Sequence, residues 1–467
     1  MSFTRRNFLI GAGSGLSLLV LSACVDEKPA PKPTPKPTKT PLGLPAPAAF
    51  ARSSWANDPY SLGSHSFMKV GATPEHRDAL RQPVLDRVFF AGEATSSDAP
   101  GTVLGALHSG SRAASDLSIV AKHGERVAVI GAGIAGAEAA RKLAEDDYEV
   151  IVVEARKRVG GRIQTSESKD WPVPVELGSW RVGTQDDDVL SRLRELAVTT
   201  EPIKPTTFVS PTSTAKSYPA GAEALTSALA WATEQPQDVS VHDALDQSGA
   251  AKTAEGAAPK GFDGQAMLEQ YLESLATVTG ADPAQLSSWY GTDQAASILV
   301  ASNQVVTGGY DLVVKDALKD VKTFLSTVVA EINYNDSGVS LRLGTGESLR
   351  VDRVVVTVPL GVLKKSTIKF SPLLPLPHRT AIASLGVGTV ETVWLRFDQK
   401  FWKTDAAVWN LVGTDDDITT WINLEPATSE PVLVGLVGGD AALRVAKLSD
   451  DQLKANALLA LRPFAEP

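Results

Sequence analysis

The sequence predicts an α/β protein in which a Rossmann-type dinucleotide-binding domain is interleaved with an α+β domain. Three observations lead there. The stretch RVAVIGAGIAGAEAARKLAEDDYEVIVVEA, from Arg126, runs in order through an apolar strand, a Gly-x-Gly-x-x-Gly turn, an alanine-rich helix, a second apolar strand and a terminal acid. At 467 residues the chain is too long for one ordinary core. Strand-like runs such as ETVWLRF and PVLVGLVGG follow an Ala/Gln/Ser-rich region of helical period, in which DGQAMLEQYLESLATVTG is the clearest amphipathic run.

Each part of the first stretch has a physical task. Gly131, Gly133 and Gly136 let the backbone turn tightly and approach a pyrophosphate, which then sits at the positive end of the following helix; Ala135 belongs to the same turn. Glu154, 18 residues after the last glycine, is placed to accept hydrogen bonds from ribose hydroxyls, and its charge repels a 2′-phosphate. Ala155 and Arg156 continue that wall.

The residues beyond it, EARKRVGGRIQT with Gly161 and Arg162, then PVELGSWRVG, resemble the glycine motif and the following segment of the flavin-containing amine oxidase family. FLSTVVAEINYNDSGVSLRL, VDRVVVTVPLGVLKKSTIKFSPLLP and WLRFDQKFW are similar to the same family in the same order. The resemblance implies FAD, held non-covalently. Arg162 then offers a forked cation to the cofactor, Gly178, Ser179 and Trp180 lie at the flavin ring, and Val329 meets the adenine through its backbone. The family's closing segment is matched by WANDPYSLGSHSF and VFFAGEATSSDAPGTVLGALHSGSRAASDL, which here precede the Rossmann strand. The chain therefore resembles a circularly permuted member, its natural ends joined through roughly residues 118–125. In that segment Gly92 and Glu93 are expected at the ribitol chain, and the helix opening at Thr102 and Val103 at the reduced ring.

The family implies hydride transfer from an amine Cα–H to flavin N5, giving an imine that hydrolyses to a carbonyl compound and ammonia. His65 stands where the family commonly has tyrosine and is a base, a polar clamp or a plain structural histidine; Ser64 replaces the cysteine of covalent members. Arg181 matches the carboxylate-binding arginine of the amino-acid oxidase branch, although Trp180 and Gly183 resemble the polyamine oxidase pattern. Thr392 occupies the position of the usual active-site lysine, which opens the choice of electron acceptor between dioxygen and a membrane acceptor. The expected activity is that of an amine oxidoreductase. The alternatives are an L-amino-acid oxidase or dehydrogenase, and a flavin-holding or electron-transfer lipoprotein without turnover.

The N-terminus is read separately. TRRNFLIGAGSGLSLLVLSAC has paired arginines, an apolar run too short to span a bilayer, and a lipobox-like site ending at Cys24, the sole cysteine. It predicts twin-arginine export and a lipid-anchored, extracytoplasmic protein; a plain signal peptide is the simpler reading. The expected organisation is signal 1–24, Pro-rich linker 25–50, permuted FAD-binding segment 51–120, Rossmann segment 121–185, helical substrate region 186–300, FAD-domain return 301–367 and substrate sheet 368–467. A net charge of −9 without a basic cluster argues against nucleic acid as a partner. Six scattered histidines give no metal-site spacing.

Overall fold

The computed structural model describes residues 43–203, 206–210, 213–292 and 303–465. Cys24, the signal and most of the Pro-rich stretch lie outside the described residues.

A five-stranded, all-parallel sheet carries the dinucleotide motif. Its order is Lys322–Phe324, Glu149–Val153, Arg126–Ile130, Arg353–Val356 and Val88–Phe90. These strands are Val/Ile/Phe-rich because both faces are covered. Phe89, Val127, Val129, Val152 and Val355 face the helices Val103–Val120 and Ile134–Glu145. Phe90, Ala128, Ile130, Val153 and Val356 face a four-stranded sheet through its Ile332 and Leu341. The N-terminal segment thus supplies an edge strand and a covering helix to a sheet whose centre comes from later in the chain. The two helices cross closely: a Cβ on Gly110 would lie 2.2 Å from the Ala135 carbonyl oxygen.

The second layer is a seven-stranded sheet ordered Ala49–Arg52, Val390–Arg396, Val432–Gly438, Thr420–Asn423, Val408–Leu411, Thr206–Val209 and Thr214–Ala215. ETVWLRF and PVLVGLVGG pair antiparallel within it. The buried Trp409 and Trp421 fill the cluster on one of its faces. The helix Gly264–Thr279 lies where its amphipathic period places it, capped by the Asp263 side chain and closed by Gly280 in the left-handed region.

Two details differ from expectation. The strand Ala49–Arg52 straddles the linker boundary at residue 50 and joins the seven-stranded sheet, pairing with Val393–Arg396. Within the region expected to be helical, Thr200–Pro202, Thr206–Val209 and Thr214–Ala215 are strands. Each is too short to impose a period of its own; the first two are held by pairing with distant chain, and Thr214–Ala215 by pairing back onto Phe208 and Val209.

Candidate active site

The strand Arg126–Ile130 passes into the helix Ile134–Glu145 through Gly131, whose φ of 107° favours glycine. Thr357, from the end of the neighbouring strand, fixes this turn by donating to the carbonyls of Ile130 (2.9 Å) and Gly131 (3.2 Å). Gly133 caps the helix without any side-chain hydrogen bond, so the first-turn N–H groups are left for a ligand. A Cβ on Gly133 would meet nothing closer than 3.9 Å and would project into open space. Gly136 does not line the cavity. A Cβ there would strike the Gly131 carbonyl oxygen at 2.0 Å, so this glycine seats the helix against the turn.

A cavity of about 270 Å³ runs along this turn. Ala135, Glu154, Ala155, Arg156 and Gly161 border it, as do Val329 and Gly92. Glu154 is 3% exposed; it accepts N–H bonds from Ala132 (2.8 Å) and Arg156 (2.7 Å), which aim it across the strand ends. The Arg156 guanidinium is ion-paired to Asp58 (2.6 Å), donates to Ser61 (2.8 Å) and lies over the Tyr60 ring, which ties the N-terminal segment to the Rossmann motif. These features fit a dinucleotide: an uncapped helix start, a glycine wall and a buried acid at the second strand's end.

A second cavity, of about 500 Å³, meets the first at Ser64, His65, Gly101, Thr102, Val103, Arg162 and Ser179. Thr102 caps the helix Val103–Val120, its hydroxyl accepting from Gly105 at 3.0 Å. Glu93, 4% exposed, is the hub of the junction. It accepts from the Arg162 guanidinium (2.8 Å), the Ser66 hydroxyl (2.6 Å) and N–H, and the Gly101 N–H (3.0 Å). Burial alone would raise this carboxyl, but Arg162 and Arg77 hold it down at about 2. Glu93, expected at the ribitol chain, borders the first cavity, and its carboxylate also positions Arg162. Among the described residues, Arg162 hydrogen-bonds through Nη1 alone, to Glu93 and to the Ser64 carbonyl (3.0 Å).

His65 borders both cavities. Its Nε2 must be the donor to the Val278 carbonyl (2.8 Å), so the acceptor of the neutral ring is Nδ1, which is buried and has no partner among the described residues. Burial lowers its pKa, against the opposing Val278 hydrogen bond and Glu93 charge, and the nearby Arg162 and Arg181 add to the lowering.

Gly178, Trp180, Arg181 and Thr392 border the second cavity. A Cβ on Gly178 would lie 1.9 Å from the Arg162 carbonyl oxygen. The Arg181 guanidinium sits 5.5 Å from the Trp180 ring and has no ion pair among the described residues; burial pulls it down to about 10. Thr392 is 3% exposed, its N–H bonded to the Ser53 hydroxyl (2.8 Å). Its neighbour Glu391 is wholly buried and accepts from the Ser53 hydroxyl and the Ala56 N–H. Sequence reasoning missed Thr357, Asp58, Arg77 and Tyr310. The last is a fully buried residue of the second cavity's wall whose hydroxyl has no partner among the described residues.

A model of the family described as flavin containing amine oxidoreductase matches residues 40–118 and 134–466. Probable polyamine oxidase 4 of Arabidopsis thaliana is 30% identical over 344 residues, covering 70% of this chain and 68% of that protein. Polyamine oxidase 4 of Oryza sativa subsp. japonica is 30% identical over 70% of each chain. Among solved structures, cyclohexylamine oxidase from Brevibacterium oxydans IH-35A superposes with a TM-score of 0.57 at 21% identity, covering 73% of this chain and 82% of that one, which speaks to the fold. The chain belongs to the flavin containing amine oxidoreductases, FAD-dependent enzymes that act on CH–NH groups.

Proposed function

We propose that this protein oxidises a small-molecule amine, with FAD seated non-covalently along the glycine turn and the substrate in the second cavity. The observation that carries this reading is the meeting of the two cavities at a junction that includes His65, Thr102, Arg162 and Ser179. The cofactor's backbone would lie against Gly131, Gly133 and Glu154, its adenine near Val329, and its ring near the junction. When bound, FAD supplies a hydride acceptor. The protein's part is to hold and desolvate the substrate. Neutral His65 presents an acceptor and no charge, which suits an amine that must be unprotonated to react. Ser64 leaves the ring without a thiol to bond covalently.

A specific observation favours a second reading, that the amine carries a carboxylate. Arg181 has no anionic partner among the described residues, and the Tyr310 hydroxyl of the same wall is also unpartnered. Anaerobic mixing of the yellow holoprotein with a panel of simple amines, diamines and amino acids separates the two. Amines should bleach the flavin; bleaching by amino acids that Arg181→Ala abolishes while sparing amines would establish the second reading. Purified protein that is colourless and refuses added FAD would overturn both.

Thr392 offers no positive charge beside the ring, and this supports an electron acceptor other than dioxygen. Reoxidation of reduced protein by a soluble quinone at least tenfold faster than by air is the corresponding test. The chain order is read as a circular permutation of the family's, supported by the parallel pairing of Val88–Phe90 with Arg353–Val356. Export and lipid attachment at Cys24 are also proposed, from the signal-like sequence alone. No helix among the described residues is long and apolar enough to cross a membrane. If the anchor is the lipid, Cys24→Ser should release the protein from the membrane fraction.

A further inference from the structure

A second arginine, this one buried, reaches the Glu93 hub, and the sequence gives no hint of it. Arg77 belongs to the short polar helix Pro74–Arg81, which also carries Glu75 and Asp78. It is only 4% exposed. Its Nη1 donates to the Ser66 hydroxyl at 2.8 Å and to the Ala94 carbonyl at 3.0 Å, and that hydroxyl donates in turn to Glu93. Its Nε is buried without a partner among the described residues. The neighbourhood is apolar, with Leu80, Ala94, Met68 and Ala72 in one cluster. A hydrophobic side chain would satisfy packing at this position, whereas an arginine brings in a charge that must be desolvated.

The charges around Glu93 do not cancel. Arg77 and Arg162 bracket one carboxylate, and His65 is neutral. The other acids bordering the second cavity are engaged elsewhere: Asp78 pairs with Arg81, and Asp98 with His108. Asp186 accepts the Gly183 N–H at 3.0 Å. Arg77, Glu93 and the partly exposed Arg162 together carry one net positive charge beside the junction of the two cavities.

We propose that Arg77 is a positioning residue of the flavin site: it holds the Glu93–Arg162 pair and leaves the junction net positive, so that negative charge arriving on the isoalloxazine ring is stabilised. This rests on the FAD reading. It extends that reading by assigning a role to a residue outside the dinucleotide motif, on the far side of Glu93 from Arg162.

Sulfite is a probe that reports ring charge without turnover. Its sulfur lone pair forms a bond to N5 of the oxidised ring, and the displaced electron pair stays on the ring as negative charge, so no further reactant is needed. Titrating the holoprotein with sulfite and following the flavin absorbance gives a dissociation constant. Arg77→Met should weaken sulfite binding about tenfold or more, and Arg77→Lys should remain within about threefold of the parent protein. If Arg77→Met folds but sheds FAD while Arg77→Lys keeps it, the charge role is likewise supported. Equal behaviour of the Lys and Met variants, whether both bind sulfite normally or both lose the cofactor, overturns the proposal, because packing alone then explains the residue. A parent protein without flavin would instead refute the cofactor assignment.

Discussion

Glu176 and Glu93 are both buried carboxylates, and their surroundings push them in opposite directions. Glu176 is wholly inaccessible; burial, aided by Asp311, raises it to about 7, against the opposing Tyr310 N–H (2.9 Å) and Thr165 hydroxyl (2.8 Å). An acid whose folded pKa lies above its unfolded value favours the fold when protonated. That contribution is complete below the unfolded pKa of 4.5 and is lost as the pH rises through 7. Glu176→Gln should therefore unfold at a higher temperature than the parent protein above neutral pH, by a free energy on the order of 3 kcal/mol, and the two should converge in acid. Thermal unfolding across the pH range checks both limbs. Glu93, held at about 2, has the reverse sign: its contribution is present above 4.5 and is lost as the pH falls through 2. At this scale the sequence was legible where one residue's role depends on its neighbours in the chain, as at Gly131, Gly133 and Glu154. It was opaque where partners are distant. The Glu93–Arg162 bond spans 69 positions, and nothing local marks Arg77 as buried.

The two helices flanking the dinucleotide motif form the element on which the cofactor site is mounted. One brings its N-terminus to the junction through Thr102, the other to the glycine turn through Gly133, and they touch at Gly110. Because the obstructing atom is the Ala135 carbonyl oxygen, a methyl group at Gly110 forces the helices apart and tilts the glycine turn. Gly110→Ala should thus cost about 1–3 kcal/mol of stability and weaken FAD binding roughly tenfold, despite the better helix propensity of alanine. Urea unfolding and flavin retention on dialysis measure the two effects. Long elements with strong caps, such as Gly264–Thr279, could be read from their pattern. The strands between Thr200 and Ala215 could not, because short pairs are specified by what they pair with.

The molecule as a whole makes its FAD-side sheet from three separated parts of the chain, with Val88–Phe90 at one edge and Lys322–Phe324 at the other. The link from the covering helix to the first Rossmann strand is short, Ala121 to Glu125. It is secured at its end by Glu125, ion-paired to Arg353, while His123 stacks on Tyr148. Near the other end of the described chain, Phe464 contributes to the same apolar cluster as Leu44. If the order of segments is a permutation, the fold stores no information in which loop is open, and the break can be moved. A chain opened at Lys122–His123, with residue 465 joined to residue 43 by a flexible linker, should fold, retain FAD and bleach with the same amines. Its stability should fall by no more than about 1–3 kcal/mol, since loop closure depends only weakly on length. Loss of the Glu125–Arg353 anchor is the main local risk, so the opening is placed before Glu125. A rearranged chain that is soluble but takes up no FAD, while the parent does, would show that the present order is required for the cofactor site to form, and the permutation reading would fail at the level of the whole fold.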